Sequence, residues 1–364
     1  MVRALLDGRA LYDSSRYRGI GTYVRELLLA LSTSEGVDVS VLATAQTELP
    51  AGVHRVPVSR VLANRRFGDA EHRLRLPLDI RRVDGAQVFH STGQEPPSRS
   101  ALPWVQTVHS MIPLLFDHAA LAPERARWAR IGPRLRHASR LIAVSSDTAD
   151  AAAKLLDIPR SRFTVAHLGV DRAFSPGAEP YDDHGRPYLL CVGEYGPWKG
   201  FAEAFAVVDD LAGRGRPHQL RMVGRVTPWT EPQVRALIAA TQHPERIDLV
   251  GYQSPAQLVA QYRGATALLV TSRCEGFGLP VVEAMACATP VVGFANSSLR
   301  EVIGKGGIQV PDGDVGAMVA AVESLIASAA ERDRVAAMGR AWSARFSWEA
   351  CARVHAQVYA EVAA

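Results

Sequence analysis

The sequence predicts an α/β protein of two domains, each a parallel sheet with helices on both faces. Three observations carry this expectation. The first is the stretch Thr271 to Val292, TSRCEGFGLPVVEAMACATPVV. A buried-type apolar run, Ala265 to Val270, leads into a loop with Gly276 and Gly278. Pro280 then opens a helix to about Ala288, and Pro290 ends it and starts a second apolar run, PVVGF. The second observation is length, because 364 residues exceed one ordinary hydrophobic core. The third is a restart: the Pro-, Gly- and charge-rich segment 171–187 reads as a linker, and strand–helix alternation runs on either side of it.

Taken in order, Val2 to Leu6 read as a buried strand, then a loop with Arg16, Arg18, Gly19 and Gly21, then an amphipathic helix from Thr22 to Leu31. Strands follow at Val37–Leu42, Arg55–Val58, Gln87–His90 and Trp104–Val108, which puts His109 at a strand's C-terminal end, where open α/β sheets hold ligands. Arg140–Val144 is the next strand, Ser145-Ser146 cap a helix from Asp147 to Leu156, and Phe163–Leu168 close this half. The second half opens with the strand Tyr188–Val192, the loop GEYGPWKG and a helix from Phe201 to Ala212. Leu220–Val223 ends at Gly224 and Arg225, and Asp248–Val250 ends at Gly251-Tyr252. Ser254-Pro255 cap the helix before the glycine loop. Beyond that loop come helices at Ser297–Ile303 and Val315–Ile326, and an amphipathic C-terminal segment, FSWEACARVHAQVYAEV.

Composition narrows the function. Hydrophobic residues make up 48% of the chain, and no apolar run approaches the roughly 20 residues of a membrane span. MVRALLDGRAL lacks the apolar core of a signal peptide. Cys191, Cys274, Cys287 and Cys351 show no metal or redox spacing, so free thiols in a reducing cytoplasm are expected. Net charge is +4, nearly all from arginine, since Lys154, Lys199 and Lys305 are the lysines. The arginines cluster at 55–82 and 125–140. Without a recognition motif they do not argue for nucleic acid. They read first as solvated helix faces and second as attraction to anionic lipid or an anionic acceptor, which leaves room for weak peripheral membrane contact.

The glycine loop has a chemical use. Loop amides and a helix start favour an anion such as a phosphate, and glycines let it approach the backbone. Glu275 and Glu283 would repel that phosphate, but they suit acceptance of hydroxyl hydrogen bonds from a ribose or a sugar. For an isolated Glu-Gly pair, a plain helix-start preference explains them equally well.

EGFGLPVVEAMA, with seven residues between Glu275 and Glu283, resembles the paired-glutamate signature of retaining glycosyltransferases of family 4. RGIGTY and GEYGPWKG resemble the same family, and the likeness runs to FSWEA. It implies the GT-B fold, two Rossmann-like domains facing across a central cleft. An acceptor-binding domain would span 1–170, a linker 171–187 and a nucleotide-sugar domain 188–345, with a helix, 346–364, packing back on the first. It implies transfer of a hexose from GDP-mannose or a UDP-hexose to a hydroxyl of a sugar, small-molecule or lipid-linked acceptor, by same-face attack. His109, Glu275 and Lys199 would be catalytic, with Lys199 on the donor diphosphate. Gly21, Glu194, Arg225, Tyr252, Gly276, Phe277, Gly278, Leu279 and Glu283 would join Lys199 and Glu275 in holding the donor, and Glu301 is a lesser candidate.

Three positions depart from the family pattern. Ala288 stands where glycine is usual, a change expected to cost little. Ser110 replaces an aspartate after His109, and Glu194 replaces an arginine. The adjacent aspartate pairs Asp182-Asp183 and Asp209-Asp210 lie away from the glycine loop, so a metal-independent donor site with no cofactor is expected. An epimerase or hydrolase on the same fold, or a non-enzymatic sugar-binding α/β protein, stays open at this point.

Overall fold

A computed structural model describes residues 1–57, 79–80, 85–177, 186–228 and 230–364. The chain divides into two compact units, Met1–Gly169 with Phe346–Ala364, and Val170–Arg345.

The first unit is built on a seven-stranded parallel sheet. Its strands are β1 (Val2–Asp7), β2 (Val37–Ala43), β3 (His54–Pro57), β5 (Val88–Ser91), β7 (Trp104–Val108), β8 (Arg140–Ala143) and β9 (Phe163–Val165). Their order is β3-β2-β1-β5-β7-β8-β9, with Leu6 opposite both Val41 and His90. Two short strands, β4 (Asp79–Ile80) and β6 (Arg99–Ser100), pair apart from it. Strands covered on both faces carry apolar residues on both sides, and β7 is buried throughout. Helix Gly19–Ser32 packs through Tyr23, Val24, Leu27, Leu28 and Leu31, which share one face at helical spacing. It begins three residues earlier than Thr22, because Asp13 caps a short 3-10 turn, Ser14–Tyr17, against which the helix start is seated. The final strand stops at Val165 rather than Leu168.

The second unit holds a six-stranded parallel sheet ordered β12-β11-β10-β13-β14-β15. These strands are β10 (Tyr188–Val192), β11 (Gln219–Val223), β12 (Ile247–Gly251), β13 (Ala267–Val270), β14 (Val291–Phe294) and β15 (Ile308–Val310). Leu189, Leu220, Leu269 and Val292 form its centre with Phe205, Val208, Met318 and Val322 from flanking helices. Helices Glu231–Ala239 and Ala329–Ser343 and strand β15 were not read from the sequence. At the unit's start, Arg263 Nε donates to Ser175 O at 2.9 Å, and Phe174 packs edge-on against Tyr262.

The arginines at 125–140 are a solvated face only in part: Arg130 and Arg136 are exposed, but several members of the cluster make specific contacts. Arg127 pairs with Glu95 and Glu124, Arg134 donates to Pro96 O at 2.8 Å, Arg136 to Leu156 O at 2.9 Å, and Arg140 meets Glu361. Each ties its segment to another part of the unit. Most of the 55–82 cluster, with Asp182 and Asp183, lies outside the described residues. No helix among the described residues is long and apolar enough to cross a membrane.

Candidate functional site

In the second unit, β10 leads outward to β11 and β12, and the chain then returns on the other side of β10 as β13. Ligands of open α/β sheets bind beyond the carboxyl ends of strands at such a reversal. The loops leaving β10 and β13 carry Lys199 and the glycine loop.

The loop after β10 closes in a 3-10 turn, Pro197–Lys199, and Gly200 starts the next helix at φ 63°. A Cβ on Gly200 would lie 2.0 Å from the Thr271 carbonyl oxygen, so the two loops touch backbone to backbone only because this residue is glycine. Thr271 Oγ1 donates to Lys199 O at 3.0 Å, and Arg273 N donates to Trp198 O at 2.7 Å. Thus fixed, Lys199 Nζ reaches Glu275 Oε1 at 2.6 Å, and Ser272 Oγ donates to the same oxygen at 2.7 Å.

Residues after β14 brace the glycine loop. Glu275 N donates to Ser297 Oγ at 2.9 Å, while Ser298 Oγ lies 3.0 Å from the carbonyls of Glu275 and Phe277. Asn296 Nδ2 donates to Ser272 O and Asp312 Oδ1. Gly278 caps helix Leu279–Ala286 at φ 100°, a left-handed conformation that favours glycine. The helix's first turn offers less to an anion than expected. Val281 N donates to Gly278 O, Pro280 has no N–H, and the Glu275 amide is spent on Ser297. Gly278 and Leu279 follow, and Lys199 lies beside this loop.

Glu283, half-buried on this helix, accepts from Tyr262 OH at 2.7 Å. Burial pushes its pKa up to about 7; the Tyr262 hydrogen bond opposes that shift and the nearby Asp171 charge adds to it. Glu194 follows β10, Arg225 is exposed beyond β11, and Tyr252, 53% exposed, follows β12. Glu301 lies half-buried in helix Leu299–Ile303. Adjacent strands are about 4.8 Å apart, so β12 and β13, three spacings from each other in the sheet, lie about 14 Å apart.

His109 and Gly21 belong to the first unit. His109 Nε2 donates to Thr92 O at 2.6 Å, and its ring meets Tyr23 edge-on at 4.9 Å between centroids. Burial lowers its pKa to about 4, only partly countered by the Thr92 carbonyl, so it is neutral at pH 7 with Nδ1 as acceptor. Gly21 lies within the first turn of its helix rather than in the preceding loop, where a Cβ would lie 2.4 Å from Ser15 O. Close packing alone therefore accounts for this glycine.

Ala288 also needs a correction. Its φ of 61° is left-handed, so alanine in place of the family's glycine carries strain of about 1–2 kcal/mol. Sequence reasoning missed Tyr262, Ser272, Asn296, Ser297 and Ser298, which hold the two glutamates and their loop. The run Asn296-Ser297-Ser298 directly after an apolar strand was the available signal.

Comparison with known proteins now decides the family. The model for Glycosyltransferase Family 4 matches residues 17–174, and the model for Glycosyl transferases group 1 matches residues 179–342. The chain is a glycosyltransferase of this family. A D-inositol 3-phosphate glycosyltransferase of Frankia alni is 29% identical, the match covering 92% of each chain. The sucrose-phosphate synthase of Thermosynechococcus elongatus superposes with a TM-score of 0.77 at 20% identity, over 99% of both chains. HepE of Anabaena, solved with UDP and glucose, gives 0.72 at 15% identity, over 99% of this glycosyltransferase and 100% of that chain. The fold of the enzyme is GT-B, two Rossmann-like domains with parallel sheets of seven and six strands.

Proposed function

We propose that this glycosyltransferase takes a hexosyl group from a nucleoside diphosphate sugar and passes it to an acceptor hydroxyl with retention at the anomeric carbon. The observation that carries the reading is the contact of Lys199 with Glu275 at 2.6 Å, beside the loop that ends in left-handed Gly278. Lys199 and the glycine loop thus meet where the chain reverses beside β10. A diphosphate leaving group develops negative charge as the glycosidic bond breaks, and fixed donors that meet that charge lower the barrier. Lys199 and the loop amides would supply them without a metal ion. Asp209 is otherwise engaged, accepting from Gln242 N and His243 N, and Asp210 pairs with Arg214.

Glu283 is suited to the ribose hydroxyls and Glu275 to hydroxyls of the donor sugar, with Tyr252 under the base. Retention fits same-face attack within an ion pair, since a second carboxylate placed as a nucleophile, as in retaining glycosidases, is not evident. UDP, present with HepE, is the first donor nucleotide to test, and GDP the second. The four buried thiols suit a reducing cytoplasm.

A thermal-shift screen against UDP, GDP, ADP and their sugars tests the proposal. The matching donor at a hundred times its Kd stabilises the protein by about 2.7 kcal/mol. A panel without any shift would remove the donor assignment.

A further inference from the structure

The connector into the second unit opens at Val170, and its first residues are tied down. Asp171 turns the chain on itself, accepting from Ala173 N through Oδ1 and from Phe174 N through its carbonyl, both at 2.9 Å. That turn presents half-buried Phe174 to helix Pro255–Gly264. There it meets Tyr262 edge-on, with 5.9 Å between ring centroids and 69° between planes. Arg263, the next residue of the helix, donates to Ser175 O at 2.9 Å and holds the connector against the same turn.

Tyr262 is buried, and its hydroxyl donates to Glu283 Oε2 at 2.7 Å. Thr289 Oγ1 donates to Tyr262 O at 2.6 Å, which fixes the backbone and not the ring. An edge-to-face aromatic contact sets orientation as well as burying area, so Phe174 governs where the phenol hydroxyl points. The other ionisable groups near Glu283 are Asp171 on the connector and Cys287 at the end of its own helix, with Arg263 acting on Cys287.

We propose that Phe174 is a positioning residue for the donor site: it holds Tyr262 so that the phenol keeps donating to Glu283. The assignment rests on the glycosyl-transfer reading, in which Glu283 meets the ribose, and adds the connector Asp171–Ser175 to that site. Phe174 itself touches no substrate. It acts through the tyrosine.

Carbon-13 NMR of the full chain with labelled glutamate carboxyls tests this, with Glu283→Gln supplying the assignment. It reads the ionisation midpoint of Glu283 in the free protein. A donor to the carboxylate favours its charged form, so losing that bond raises the midpoint. Tyr262→Phe raises it by about one pH unit, and Phe174→Ala by about half a unit or more. On the Tyr262→Phe background, Phe174→Ala adds nothing, because both changes act through one bond. A merely structural phenylalanine gives the opposite sign. Its loss admits water to Glu283 or lets Asp171 move away, and either lowers the midpoint. Phe174→Leu keeps apolar bulk without the ring and serves if Phe174→Ala fails to fold. Titrations of the same variants with UDP and GDP at pH 7 show about threefold weaker binding or more of whichever nucleotide the wild type binds. An unmoved or lowered midpoint in a folded Phe174 variant, an unmoved one in Tyr262→Phe, additive shifts, or unchanged nucleotide affinity overturns the proposal. Raised midpoints in a protein whose wild type binds neither nucleotide sink the donor assignment and leave Phe174 as the support of Glu283.

Discussion

At the scale of single residues, Glu283 carries the most information. Its raised pKa means that the folded protein holds a proton which the unfolded chain gives up between pH 4.5 and about 7. Glu283 therefore lowers stability as pH rises through that window, and the penalty is complete above pH 7. Glu283→Gln removes it, so the variant melts higher than wild type at pH 8. The same change weakens nucleoside diphosphate binding by about 1.5–3 kcal/mol, the range for hydrogen bonds to a charged group. Calorimetric titration from pH 6 to 8 checks both faces of the argument: wild-type affinity rises through pH 7 as the carboxylate ionises, and that of Glu283→Gln stays flat. Unchanged affinity in the variant would return Glu283 to a helix-start role. Ala288 gives an independent test. Ala288→Gly relieves left-handed strain but frees the unfolded chain, a net stabilisation of about 0.5–1 kcal/mol by urea denaturation.

Elements show where the sequence could be read and where it could not. Strand Tyr188–Val192 has the bounds that its apolar run predicts, because burial leaves no polar alternation to confuse, and Trp104–Val108 keeps its expected bounds although the buried polar residues Gln106 and Thr107 interrupt it. Helix Ala329–Ser343 escaped notice because its exposed face carries most of its charge and its buried residues, Val335, Gly339 and Ser343, are few and small. The paired glutamates were visible as a motif. Their supports were not, since Tyr262 and the Ser297-Ser298 brace reach them from elements distant in sequence. The brace between the β10 and β13 loops is likewise tertiary. Gly200→Ala tests it by placing a methyl group against the Thr271 carbonyl at a left-handed position. Loss of at least about 2 kcal/mol of stability is expected, together with loss of nucleotide binding as Lys199 shifts. A variant as stable as wild type would show that the two loops are not locked together.

For the molecule as a whole, the two ends of the chain are joined through a buried polar relay in the first unit. Tyr359 OH donates to His90 Nδ1, His90 Nε2 to Thr107 Oγ1, Thr107 to Tyr23 OH, and Tyr23 OH to His355 Nε2, at 2.6–2.9 Å. His355 Nδ1 then donates to Cys351 O at 2.8 Å. This sequence of donors requires both histidines neutral, and burial lowers the pKa of each, that of His355 to about 4. A lowered histidine pKa gives stability that is complete above pH 6.5 and is lost as pH falls toward 4, about 3 kcal/mol for His355 alone. Thermal melts from pH 7 to 4.5 should therefore show falling stability, and His355→Gln should flatten that dependence; an unchanged slope would remove the relay from the account. Transfer chemistry is tested most directly by proton NMR of the matching α-linked nucleotide sugar with its acceptor, followed in excess EDTA. The account predicts turnover without added metal and an α-anomeric proton in the first product formed. A β-configured product, or no turnover until magnesium or manganese is added, would contradict it.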